Sequence, residues 1–151
     1  DITGLIGQYA HGNEPSHHIA YLFNRSEQPH RTQYWVNNIL QTQYNTTPNG
    51  ISGNEDCGQM SAWYVWSSLG FYPLNPASGE YEIGRPLFNK AKINLPNGRT
   101  FTIIANNVSK DNMYIQRIVL NGEELDRTYI TDKEIQEGGV IVFEMSDKPN
   151  Q

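Results

Sequence analysis

The sequence is poor in cysteine and in positive charge. Cys57 is the only cysteine among 151 residues, so an internal disulfide framework and a zinc cluster of thiolates are both excluded. Lys and Arg number 11 against 16 Asp and Glu, a net charge of −5, and the basic residues form no cluster. That balance argues against nucleic acid or an anionic membrane surface as partner. No apolar run approaches the roughly 20 residues of a membrane-spanning helix. Internal repeats and low-complexity tracts are absent as well. Charge is also scarce in one half: seven of the 27 charged residues fall in 1–74, together with all four histidines and all three tryptophans. The first half therefore has the makeup of a site-bearing or interface-bearing segment. The second reads as a solvated module.

What is present is a short acidic loop before an apolar run. Gly53-Asn54-Glu55-Asp56-Cys57-Gly58-Gln59 leads into Met60–Leu69, where the spacing predicts a helix from about Gln59. Asp56 would stand at the N-terminal mouth of that helix, where free N–H groups and the macrodipole favour an ionised carboxylate. Such a group suits a general base. The same spacing, Asp56 then Gln59, also fits a capping box that only starts a helix. Cys57, between Asp56 and Gly58, reads as a small buried residue rather than a nucleophile.

Three helices are expected in the first half. Asn13 would cap a helix over 13–24 with Pro15 in its first turn, and Ser26 would cap a second over 27–44. The third, 59–69, is apolar nearly all round, so it must be buried from several sides, with Gly70 as its C-cap. Trp63 and Trp66 read as core. Beyond Pro73 the period becomes that of strands, separated by turns such as Pro96-Asn97-Gly98 and Asn121-Gly122. Thr131–Ile135 reads as one helical turn. The fold class is α+β, with helices first, a boundary near Asn75–Gly79, and a small antiparallel β-sandwich over 75–151.

Two long ordered segments carry a resemblance. Gly7-Gln8-Tyr9-Ala10-His11-Gly12-Asn13-Glu14-Pro15-Ser16-His17-His18 is followed by Gly53–Val65, then by Leu69-Gly70-Phe71-Tyr72-Pro73 and Tyr81–Phe88. Together they resemble the calcium-dependent exo-acting α-mannosidases of glycoside hydrolase family ninety-two. The resemblance implies that 1–74 supplies the last helices of an (α/α)6 barrel, with the β-sandwich packed against it. It also implies a fragment, since members of the family are several times longer. By the same resemblance Asp56 is the base that activates water in an inverting hydrolysis, with Glu55 as its neighbour in the catalytic pair. Position 54, often a second aspartate in the family, is Asn54 here, which shifts the weight onto Asp56. Asn54, Glu14 and His18 are the expected sugar contacts, and Asn13 the expected calcium ligand.

The general acid and most calcium ligands are expected outside this chain. The implied partners are mannose-containing glycans and the rest of the parent enzyme, with self-association of the isolated piece. The implied location of the parent is periplasmic, cell-surface or secreted. His17 and His18 are adjacent on an expected helix and cannot both face one site. Two other readings stay open at this stage. One is a carbohydrate-binding or structural β-module in which Glu55 and Asp56 only cap a helix. The other is a barrel enzyme of another class, such as an inverting phosphorylase or a trehalase-like hydrolase.

Overall fold

The computed structural model describes residues 2–150. A two-stranded ribbon comes first, β1 (Leu5–Ile6) antiparallel to β2 (Tyr9–Ala10). Two 3-10 segments follow, Glu14–Ser16 and Ile19–Ser26. Then come α1 (Pro29–Thr42) and α2 (Gln59–Leu69). The expected helix over 13–24 is thus a pair of tighter 3-10 turns. Its bonds run from Ser16 N to Asn13 O, His17 N to Glu14 O and Tyr21 N to His18 O. Asn13 opens the first turn without a side-chain cap bond. The second segment stops at Glu27, whose left-handed φ of 58° lets its N–H reach back to Phe23 O. Ser26 does not cap α1; its hydroxyl bonds Phe23 O, and Gln28 precedes Pro29 at the start of the helix.

The strands after residue 70 form two sheets. β3 (Phe71–Tyr72), β4 (Glu80–Ile83) and β9 (Tyr129–Thr131) pair in the order β3-β4-β9. β5 (Lys90–Asn94), β6 (Thr100–Asn106), β7 (Tyr114–Leu120), β8 (Glu123–Glu124) and β10 (Gly139–Ser146) pair in the order β5-β6-β10-β7-β8. Every pairing is antiparallel except β10 with β6, which run parallel. The turn at Thr131 is α3 (Asp132–Glu137). A full capping box starts it: Glu134 N donates to Thr131 Oγ1, and Thr131 N donates to the Glu134 carboxylate.

Two apolar cores result. Phe101, Ile103, Ile115, Ile130, Ile141 and Phe143 fill the sandwich, with Phe71 from β3 among them. Tyr21, Val36, Ile39, Leu40 and Trp63 fill the helical side. Because successive strand residues face opposite ways, Phe71 enters the sandwich core while Tyr72 packs on the helical one. α2 is shared in the same manner. Trp63 is sealed in the helical core, whereas Trp66 stacks on Tyr81 at 4.8 Å and joins the sandwich.

Polar ties cross between the cores. The Asn24 amide donates to Glu82 Oε2 and Ile83 O, both at 2.9 Å. Arg25 pairs with the buried Glu82 at 2.5 Å, and Ile115 N donates to Gln33 Oε1 at 3.0 Å. Removing Arg25 would leave the buried Glu82 carboxylate with the Asn24 amide but without its cation. The Ile19–Ser26 segment and α1 are therefore tied to the sheets.

Candidate active site

The acidic loop has an unusual backbone. Asp56, Cys57 and Gly58 take left-handed φ values of 48°, 58° and 89° in succession. For the two non-glycine residues this conformation costs on the order of 1–3 kcal/mol each, and it persists only where the surroundings impose it. Here the imposing bonds are visible. Asp56 O accepts from Gln59 N at 3.2 Å and Glu55 O from Met60 N at 3.3 Å. The Glu55 carboxylate accepts from Ser61 N at 2.9 Å and Ser61 Oγ at 2.8 Å.

Two expectations fail at this loop. The Asp56–Gln59 capping box does not form: Gly58 is the residue before α2 and no side chain caps it. Asp56 lies in the left-handed turn, and Glu55 bonds the first turn of the helix instead, through Ser61 N. Cys57 is exposed rather than buried, because the same turn lifts it onto the outside of the loop.

The other motif reaches this loop through close backbone contact. A Cβ on Gly12 would sit 2.1 Å from Thr3 Oγ1 and 3.0 Å from Ser52 O, and one on Gly53 would sit 2.8 Å from Thr3 Oγ1. Glycine at both places lets residues 11–17 and 52–61 touch. Beneath the contact lies a buried polar frame. His11 and His17 stack with ring centroids 4.7 Å apart, and His11 meets Trp63 edge-on at 4.5 Å. Tyr44 donates its hydroxyl proton to Met60 O, so His11 Nε2–H donates to Tyr44 Oη at 2.6 Å. His11 Nδ1 then accepts from Tyr9 at 2.8 Å. By the same logic His17 Nε2–H donates to His11 O at 2.9 Å and its Nδ1 accepts from the Gln59 amide at 3.0 Å. Trp63 Nε1 donates to His17 O. Burial, with the neighbouring His17, pushes the His11 pKa down to about 3, and burial lowers that of His17. Both rings are neutral at physiological pH.

On top of this frame the carboxylates of Glu14 and Asp56 come within hydrogen-bonding range, 42 residues apart in sequence. Their contact holds Glu14 below the usual carboxylate range and Asp56 above it. Glu14 Oε1 is enclosed without a hydrogen-bond partner among the described residues. Of the other expected site residues, Asn13, Asn54 and His18 are exposed, and no side-chain hydrogen bond joins them to this pair among the described residues. His17, not His18, is the histidine that packs inward. Beside Glu55 opens a cleft of about 750 Å³ lined by Tyr44, Thr46, Glu55, Ser61, Tyr64 and Val65.

Tyr9, His11, Tyr44 and Gln59 were not expected at the site. His11 and Tyr44 lie 33 residues apart and follow no spacing rule. Only the density of histidine and aromatic residues in the first half pointed toward them.

Residues 1–147 match the glycosyl hydrolase family 92 catalytic domain. A family GH92 α-mannosidase from Bacteroides thetaiotaomicron, solved with mannoimidazole, is 44% identical and superposes with a TM-score of 0.96. That match covers 99% of this chain and 20% of the other. A family GH92 inverting mannosidase of the same species is 45% identical with a TM-score of 0.90, over 95% of this chain and 20% of that one. An uncharacterized secreted glycosidase of Arthroderma benhamiae is 33% identical over 135 residues, 86% of this chain and 17% of its relative. The chain thus spans about a fifth of the length of the proteins it matches. On this sequence match and this superposition, the chain belongs to glycosyl hydrolase family 92.

Proposed function

We propose that this chain is part of an exo-acting α-mannosidase that releases terminal mannose from glycans with inversion at the anomeric carbon. The observation that carries the reading is the Glu14–Asp56 contact, assembled from two distant motifs on a rigid, neutral frame. Asp56 is the proposed base. It takes a proton from the water that attacks the anomeric carbon, while an acid elsewhere in the whole enzyme protonates the departing glycosidic oxygen. Acid and base in inverting enzymes stand about 6.5–9.5 Å apart, which leaves room for that water. The contact with Glu14 raises the Asp56 pKa, the direction that strengthens a carboxylate as a base.

Glu55 supports the base, since both its oxygens are occupied by Ser61 and it fixes the strained turn. Asn54, Glu14 and His18 are proposed sugar contacts. For calcium, the enclosed, unpartnered Glu14 oxygen is a fitting start to a set of hard oxygen ligands. Glu14 and the Asn13 amide would hold the ion, with the remaining ligands supplied by the whole enzyme. Bound there, calcium would offset the Glu14 charge and orient sugar hydroxyls.

The whole enzyme is proposed to act outside the cytoplasm, at the cell surface, in the periplasm or secreted. The secreted relative supports that location. Among the described residues no helix is long and apolar enough to cross a membrane. The 151 residues alone are proposed to be inactive for lack of the acid.

The test is to follow hydrolysis of an α-mannoside by the whole enzyme with proton NMR, with and without a calcium chelator. β-Mannose as the first anomer formed, abolished by the chelator and restored by calcium, supports the reading. α-Mannose as the first anomer, or activity indifferent to the chelator, overturns the corresponding part of it.

A further inference from the structure

We propose that Gln59 is a specificity-determining residue whose side-chain carbonyl accepts a hydrogen bond from one hydroxyl of the terminal sugar. The proposal rests on the mannosidase reading above and assigns a group that reading does not use.

The tautomer of His17 fixes the orientation of the Gln59 amide. His17 Nε2–H is committed to the carbonyl of His11 at 2.9 Å, so Nδ1 carries no proton and can only accept. The atom of Gln59 that faces Nδ1 at 3.0 Å must therefore be the amide nitrogen. The same nitrogen donates its second proton to Tyr72 Oη at 3.2 Å. Both donors are consumed, and the orientation of the amide is fixed from two sides. Oε1 is left as the one unfilled group of the side chain. It accepts no hydrogen bond from the described residues, and it is not among the polar atoms sealed from solvent.

A glutamine held this firmly does more than fill space. Gln59 is only half-buried and stands three residues after Asp56. Its partner His17 stands three residues after Glu14. The Gln59–His17 and Glu14–Asp56 contacts are thus two cross-links between the same pair of segments, and the free carbonyl belongs to one of them. An acceptor without donors of its own selects for a hydroxyl and against its replacement by hydrogen or an ether. Tyr72, which stacks on Tyr21 at 5.2 Å, keeps the amide from swinging away.

The experiment uses the whole enzyme and the four monodeoxy derivatives (2-, 3-, 4- and 6-deoxy) of an aryl α-mannoside, comparing wild type with Gln59→Met. At one hydroxyl position the wild type should lose about tenfold or more in kcat/KM on deoxygenation, the size of one good hydrogen bond. Gln59→Met should lose nothing further at that position, while the other three positions show the same ratios in both enzymes. Equal deoxygenation ratios in the two enzymes at all four positions would make Gln59 a structural tie only and overturn the proposal. Should Gln59→Met not fold, Gln59→Leu, which also lacks the acceptor, is read on the same substrates. It should lose nothing further at that position, and a loss there equal to that of the wild type overturns the proposal. If the wild type does not cleave the undeoxygenated mannoside, the mannosidase reading itself has failed; if it does, only the assignment of Gln59 is at stake.

Discussion

Glu55 closes on Ser61, accepting from its backbone N–H at 2.9 Å and from its hydroxyl at 2.8 Å, and this leaves the neighbouring Asp56 free of the helix. Adjacent carboxylates thereby acquire different work. Glu55→Gln in the whole enzyme should weaken two bonds to a charged acceptor, each worth about 1.5–3 kcal/mol. A lower melting temperature with turnover reduced less than tenfold is expected. A loss above a hundredfold at unchanged melting temperature would make Glu55 the base.

Glu14→Gln addresses the contact between the two carboxylates. Contact with Glu14 raises the Asp56 pKa, so removing the Glu14 charge should let Asp56 ionise at lower pH. The acid limb of the kcat/KM profile should then move toward lower pH. A limb that stays in place would show that the two carboxylates do not titrate together in the whole enzyme.

The stacked histidines predict sensitivity to acid. His11 protonates near pH 3 when folded but near about 6.5 when unfolded, and the His17 pKa is lowered in the same direction. Between those values the unfolded chain binds protons that the folded one refuses. Stability is therefore complete above about pH 6.5 and is lost as pH falls toward 3, by about 1.4 kcal/mol per pH unit for each such proton. Urea midpoints measured from pH 7 down to pH 4 check this. A His11→Gln variant should show a flatter decline.

Apolar exposure in the first half predicts association. Leu5, Ile19, Leu22, Tyr34 and Val65 are all exposed large apolar residues of the first half, and Ile6, Ile19, Phe23, Trp35 and Ile39 line an apolar cleft of about 230 Å³. Patches beyond a few hundred Å² are uncommon on soluble monomers. The isolated 151 residues should self-associate in analytical ultracentrifugation or bind a hydrophobic dye, and the whole enzyme should do neither to the same degree. A stable, dye-silent monomer would mean that this apolar surface needs no cover.

Most of the architecture was legible because it rests on local rules. Gly70 ends α2 as a left-handed cap, Thr131 and Glu134 form the capping box of α3, and strand alternation marks the sandwich. What escaped depended on long-range geometry. The parallel pairing of β10 with β6 follows from the return path of the chain, which alternation does not encode. The 3-10 form of Ile19–Ser26 and the left-handed run at Asp56–Cys57 are imposed by neighbours. At the site, the two motifs were visible as segments. Their meeting through Gly12, Gly53 and the His11–His17 stack was not, because contacts between residues tens of positions apart leave no local pattern.

Asp56→Asn in the whole enzyme tests the assignment of the base most directly. Asn tolerates a left-handed φ of 48° about as well as Asp, so the loop should keep its shape. Turnover on an α-mannoside should fall by about 100-fold or more, within the usual range for loss of a positioned general base, while the melting temperature stays within a degree or so of wild type. Turnover close to wild type, or a loss that only tracks unfolding, would contradict Asp56 as the group that activates water.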